Sequence, residues 1–224
     1  MRFHPQPSMF RSQRSIFALM AVMLCGSFAS AEKGDTEVGF RLMYATGSAK
    51  GAGSIGDTGS SPTLSSGPGI EIDWVLWPLD ELTVELSIGA SPHPVGTSGG
   101  SLSGPDGGTL WRLPLSAVAQ YRPDLYGRFD PYVGLGLVYN AAVYDMSSAY
   151  AEVFSKVSFS SDANIVVQVG VNYDLDERWS ANLDLRYMGM TTDGTFTSLD
   201  GATRDELSLK FDPWVVGLGF RYRY

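Results

Sequence analysis

His93 stands in the run Ser-Pro-His-Pro-Val, with Ser87, Ser91 and Ser98 close by in the chain. An imidazole that takes the proton of a serine hydroxyl is the pairing nucleophilic hydrolysis needs, so a lipid hydrolase or acyltransferase would place its catalytic residues here. Pro92 and Pro94 flank the histidine, which suits a rigid loop entrance. The structural reading is the one adopted, and no catalytic residue is assigned. Loss of hydrolysis of added lipopolysaccharide in His93→Ala would restore the enzyme reading. Metal and nucleotide chemistry have less to stand on. The sequence has no HExxH and no CxxC, and the GAGSIG and GPDGG stretches are not followed by the Lys-Ser/Thr of a phosphate loop. Asp57, Asp106 and Asp200 lie in Gly-rich loops, where a divalent cation or a lipopolysaccharide counterion could reach them. Turn formation is the commoner use of Asp there. No cofactor and no metal is expected.

A second group of reactive side chains is ionic. Arg41, Glu71, Asp73, Glu85, Arg112, Arg122, Asp184, Arg186, Arg221 and Arg223, with Gln168, alternate with apolar residues along the chain. Both signs are present, so mutual ion pairing is the simple expectation. The sharper one is a charged constriction that selects solutes.

The elements that carry these charges repeat with period two, the strand period. Eight segments show it, near residues 38–44, 70–76, 82–88, 111–122, 132–140, 165–173, 179–187 and 214–224. In the first, Val38, Phe40, Leu42 and Tyr44 oppose Gly39, Arg41 and Met43. In the last, Trp214, Val216, Leu218, Phe220, Tyr222 and Tyr224 oppose Gly217, Gly219, Arg221 and Arg223. Helical spacing is sustained nowhere for a helix's length.

The apolar stripes begin or end in aromatics: Trp74, Trp111, Tyr121, Tyr139, Tyr173, Trp179, Tyr187, Trp214 and Tyr222. A water-soluble sandwich has no reason to put amphipathic rings at the ends of a buried stripe. A lipid-facing barrel does, because the rings settle at the two headgroup levels. A dry sandwich core could not hold the charges of the polar face cheaply, whereas a barrel interior can hold them wet or paired. Short turns at Pro78–Glu81, Pro123–Asp130 and Asp174–Arg178 alternate with long segments at Gly47–Pro68, Ser91–Thr109, Asp145–Asp162 and Met190–Ser208. Gly47–Pro68 holds six Gly and six Ser, so low order is expected there. The expected fold is all-β: an eight-stranded antiparallel transmembrane β-barrel with short periplasmic turns and long extracellular loops. No apolar run approaches the ~18–20 residues of a spanning helix.

Ahead of the strands, Arg2, Arg11 and Arg14 precede the apolar run Ile16–Cys25, and Ala29-Ser30-Ala31 gives a small-x-small pattern. This reads as a secretory signal peptide over residues 1–31, with cleavage after Ala31 and the barrel domain over 32–224. A lipoprotein signal using Cys25 is the rival, but Leu24 is not the small residue a lipobox wants. Cleavage removes the single cysteine, so no disulfide is expected. It leaves 13 basic against 24 acidic residues. With a whole-chain net charge of -8, that balance excludes nucleic acid as a partner, since such binders need a basic surface.

Four segments resemble the OmpW family of small bacterial outer-membrane proteins. They are GIEIDWVLWPLDELTVELSIGASPH (69–93), RFDPYVGLGLVYN (128–140), VGVNYDLDERWSANLDLRYMGMTTDG (169–194) and LKFDPWVVGLGFRYRY (209–224). They occur in the family's order and cover roughly half of the chain after residue 31. The resemblance implies an eight-stranded barrel in the cell outer membrane. It also implies uptake of small, largely hydrophobic molecules through a narrow lumen, with sideways exit into the bilayer, and for some members a role as phage or colicin receptor. The chain departs from the family pattern at Gly189-Met190, at its Arg-Tyr ending, in its Gly/Ser-rich loops, and at Arg186, where some members carry an aromatic.

The functional expectation is therefore a narrow uptake path for small apolar molecules. Outer-membrane lipid, lipopolysaccharide and a small hydrophobic solute are the expected partners; the sequence leaves the oligomeric state open. Eight strands leave a bore that side chains fill or that holds one small ligand, too narrow for a porin channel. The alternatives are a loop-display barrel (adhesin or receptor) with a plugged lumen, a lipid-modifying enzyme, and a soluble lipocalin-like binder with its apolar faces turned inward.

Overall fold

A computed structural model describes residues 36–47, 49–51, 54–55, 58–101, 107–123, 127–201, 204–211 and 213–224, with only the backbone of Lys50 and Arg204. The signal-peptide reading, Asp57 and Asp106 lie outside the described residues.

The strands are β1 (Glu37–Thr46), β2 (Ala49–Lys50), β3 (Ser61–Leu64), β4 (Gly67–Leu79), β5 (Leu82–Ser98), β6 (Gly108–Tyr121), β7 (Phe129–Met146), β8 (Phe154–Phe159), β9 (Asp162–Asp174), β10 (Trp179–Met188), β11 (Thr191–Ser198), β12 (Arg204–Lys210) and β13 (Trp214–Arg223). A single helical turn, α1 (Ser148–Ala151), precedes β8. Eight of the strands close a ring in the order β1, β4, β5, β6, β7, β9, β10, β13, every neighbour antiparallel. The first and last ring strands pair from Glu37↔Arg223 to Thr46↔Trp214, so no ring edge is left open.

The two faces invert the soluble pattern. Leu42, Leu135, Leu137 and Leu218 stand 59%, 62%, 67% and 62% exposed on the outside. Arg41, Asp73, Glu85, Arg112 and Arg221 are fully buried inside. Such an apolar outer belt is stable only against acyl chains, and closure gives every barrel strand a ladder partner on both sides, as a bilayer core demands. A lipocalin-like binder would show the opposite arrangement. No helix of the described residues is long and apolar enough to cross a membrane; the strands cross.

The tight connections Asp80–Glu81 and Leu175–Arg178, and the facing ends of β6 and β7 at Tyr121 and Phe129, lie at one end with Thr36 and Tyr224. The long connections lie at the other end, and they are more built than their composition suggests. β2 and β3 form a small hairpin that adds to the upper end of β5, within the Gly/Ser-rich segment expected to have low order. β8, β11 and β12 form a separate three-stranded sheet. Phe154, Phe196 and Leu207 are buried there with Tyr150, and this aromatic cluster is what the Gly/Ser count hides. The segment read as a loop from Ser91 also differs: β5 runs on through His93 to Ser98.

Proline explains how β5 is held. Gly67 packs against the Pro92 carbonyl, and Ser65 N–H donates to the Pro94 carbonyl at 3.0 Å. The ring nitrogens of Pro92 and Pro94 therefore face β4 with no hydrogen to give, and the β4–β5 ladder stops at Ile70↔Ala90. On the other flank, β5–β6 pairing lapses at Gly89 and Ala90, opposite Leu113 and Pro114.

Candidate functional site: a charged belt beneath an apolar chamber

Alternation along the ring strands sends Arg41 (β1), Glu71 and Asp73 (β4), Glu85 (β5), Gln168 (β9), Asp184 and Arg186 (β10) and Arg221 (β13) inward. All are buried to 2% exposure or less. They form one network. Glu85 lies at its centre and accepts from Arg41 at 2.7 Å, Arg186 at 2.6 Å, Gln120 at 2.9 Å and Gln168 at 3.2 Å, and also from Arg221. Glu71 joins Arg41 at 2.6 Å and Arg186 at 2.8 Å. Asp73 takes Arg221 at 3.0 Å. Asp184 meets Arg186 at 2.7 Å and accepts from Gln168 at 2.6 Å and Tyr132 at 2.8 Å. Three arginines thus face four carboxylates, each of them in at least one ion pair, with one formal negative charge in excess. Glycine makes room for the Arg41 side chain: a methyl on Gly219 would come within 2.6 Å of Arg41 Cγ.

Toward the end with the tight turns, Arg122 bonds Asp130 at 3.0 Å and Gln120 at 2.8 Å, and lies 4.9 Å from the Trp77 ring centroid and 5.1 Å from that of Tyr132. Arg223, partly exposed, holds Glu37 at 2.9 Å. Tyr132, Trp77, Asp130 and Glu37 were not singled out from sequence as candidates. Tyr132 had an inward register that pointed to it, whereas Trp77 sits beside Pro78 where the alternation ends.

Above the belt the lining changes. Ala45, Val95, Leu110, Val138, Val166, Met188, Met190, Phe211 and Val215 form a buried apolar cluster with Met43 against it. A cavity lies here, lined by Met43, Ala45, Gly69, Ser91, His93, Arg112, Pro114, Met188, Met190 and Val215. Its clear room is about 20 Å³. That holds a water molecule and excludes an organic solute unless the walls move. Three methionines in the wall supply that movement, since unbranched thioethers change rotamer at little cost.

Two polar groups interrupt the chamber wall. His93 Nδ1 lies 2.9 Å from the Ser65 carbonyl, which can only accept, so Nδ1 carries the proton. Nε2 then accepts from Ser91 Oγ at 3.0 Å. The structure thus brings Ser91 to His93, while Ser87 points to Glu71 and Ser116 at 3.0 and 2.7 Å. His93 is buried inside the barrel, 1% exposed, rather than at a loop entrance, because β5 continues past it. Both ring nitrogens are occupied, and no carboxylate pairs with the ring among the described residues. Arg112, from β6, reaches Asp162 at 3.0 Å through Nη1.

The aromatic positions all fall on the outer face. Trp179 and Tyr222 meet at 5.0 Å and Phe129 and Tyr173 at 5.0 Å near the tight turns, the end that Tyr121 also occupies. Tyr187 and Trp214 meet at 5.3 Å toward the other end, where Trp111 pairs with Val143 and Tyr139 with Ala163. Trp74 lies in the hydrogen-bonded row of Val38 and Tyr222. Asp200 accepts from Ser198 Oγ at 2.5 Å in the β11–β12 turn, and no group of acidic, His or Cys residues suited to a metal occurs among the described residues.

A family model for the OmpW family matches residues 66–224, spanning β4 through β13. The chain belongs to the OmpW family. OmpW-family relatives include outer-membrane protein y4mB of Sinorhizobium fredii, 30% identical over 179 residues, 77% of this chain and 73% of that protein. Outer membrane protein W of Escherichia coli is 29% identical over 213 residues, 92% of this chain and 95% of that one. Among solved structures, OprG of Pseudomonas aeruginosa superposes with a TM-score of 0.76 at 24% identity, covering 85% of this chain and 96% of its own. Another, AlkL in lipid bilayers, gives 0.64 at 21% identity, covering 100% and 96%. This OmpW-family chain is an outer-membrane β-barrel.

Proposed function

We propose that the barrel is a non-catalytic uptake path for small, largely hydrophobic molecules. Solutes enter the apolar chamber from the loop end and leave sideways into the outer-membrane lipid. The observation that carries this reading is the coincidence of a chamber, a floor and a weak wall. The charged belt forms the floor, and its paired arginines offer an apolar solute nothing and block a straight path. The wall beside the chamber is β5 at Gly89–Pro94, where the ladder lapses toward β6 at Gly89 and Ala90 and toward β4 from Ser91 onward. Parting strands there breaks few hydrogen bonds, which matters in a medium that cannot replace them.

The test is the rate at which N-phenylnaphthylamine enters the outer membrane of intact cells. Expression should raise that rate above the empty vector. Ala90→Cys with Leu113→Cys staples the lapsed rungs; its oxidised form should return the rate to the vector level, and reduction should restore it. Equal rates with and without the protein would defeat the uptake reading. A stapled variant as fast as wild type would defeat the sideways route.

The second reading is a loop-display barrel, favoured by the separate β8–β11–β12 sheet with its own aromatic cluster. It predicts no dye acceleration at all.

A further inference from the structure

Arg112 is fully buried, yet only its Nη1 is engaged, by Asp162. Its Nε and Nη2 have no hydrogen-bond partner among the described residues. These two atoms form one edge of the guanidinium, with parallel N–H groups spaced to grip both oxygens of a carboxylate. The cation is also under-compensated, because Asp162 shares its charge with Thr191 N–H at 3.1 Å and with the Asn164 amide. Asn140, fully buried in the adjoining register row between Pro114 and Asp162, leaves both amide atoms without a partner among the described residues. A buried guanidinium edge left open is costly in a protein built only for stability. Here it borders the methionine-lined chamber.

We infer that the chamber is a binding site for amphipathic carboxylates: the Nε–Nη2 edge of Arg112 holds the carboxylate head, and Met43, Met188, Met190 and Val215 hold the apolar chain. The site deepens the uptake reading and rests on it, and it adds a selection that an apolar path alone lacks. An acid should outrank the matching alcohol, which offers one oxygen and no charge.

The chain carries its own reporters. Beyond residue 31 it has four methionines: Met43, Met188 and Met190 in the chamber, and Met146 packed beside the outer aromatic cluster. The barrel, labelled with ¹³C-methyl methionine and refolded in lipid nanodiscs, is titrated with sodium decanoate and with 1-decanol. Decanoate should shift the three chamber methyls, and not that of Met146, at about tenfold lower concentration than decanol. Arg112→Gln should bring the two ligands level while decanol still binds. Equal affinities in wild type, or a preference that survives Arg112→Gln, would overturn the carboxylate site and leave the uptake reading standing. Chamber methyls indifferent to both ligands would take the uptake reading down as well. Should Arg112→Gln fail to refold, Asp162→Asn decides: it keeps the guanidinium and removes its competitor. The decanoate preference should then grow, and an unchanged or smaller preference would refute the site.

Discussion

The lower and upper halves of the same lumen are built on opposite principles. Below, Glu85 is gripped by three arginines and two glutamines drawn from across the bore. Above, the wall is apolar, Arg112 is half-satisfied, and the β5 ladder lapses toward β6 at Gly89–Ala90 and toward β4 from Ser91 onward. Order is concentrated in the belt, and slack in the chamber above it. The contrast also shows how one barrel can be locked at one level and yielding at another: ion pairs hold the ring, so the upper wall can carry unmade bonds.

The largest way to break this contrast is at the centre of the belt. Glu85→Ala removes the one carboxylate that all three arginines share and leaves their donors unpaired in a buried site, a loss of about 3–5 kcal/mol. The heat-induced shift between folded and unfolded bands on a semi-native gel should move to markedly lower temperature. A midpoint within a degree or two of wild type would mean the belt is wet and not a structural lock. In the upper half, Met188→Leu conserves volume and should cost less than about 1.5 kcal/mol, while the branched side chain slows dye entry several-fold. If stability falls and the dye rate holds, the chamber is core and not path.

The smallest effect lies at the rim. The backbone N–H groups of Arg178 and Trp179 donate to Asp176 Oδ1 at 2.8 Å each and hold its pKa below the ordinary aspartate value. That stabilisation is complete above the unfolded value of about 3.9 and is lost as pH falls through the lower folded value. Wild type should therefore lose slightly more thermal stability than Asp176→Ala between pH 5 and pH 3, measured by the same gel. Identical pH profiles would remove the turn from the list of acid-sensitive contacts.

Much of the ring was legible in the sequence, because period-two amphipathy is a local property. Each strand announces which side of Arg41, Glu85 or Arg186 faces lipid. The end of the barrel that carries the long loops was legible from turn lengths. Partner choice was not legible. Arg41 meets Glu85 and Asp184 only after the stagger of the whole ring is known, and stagger is a sum over eight registers. The chamber escaped for a different reason. Val95, Met188 and Val215 point inward and break the rule of polar inside, while Val95 and His93 lay in a segment whose prolines read as loop. The ionic pattern drew attention to Arg112, but only the three-dimensional partners show that it differs from the other arginines.

The seam between β1 and β13 has a consequence for biogenesis. Ten rungs join residues 37–46 to residues 214–223. Until the last strand arrives, two bare edges exist, and acyl chains offer them no donors or acceptors. Insertion strand by strand is therefore unfavourable. Entry of the whole ring in one cooperative event avoids those bare edges, with the final segment acting as the latch.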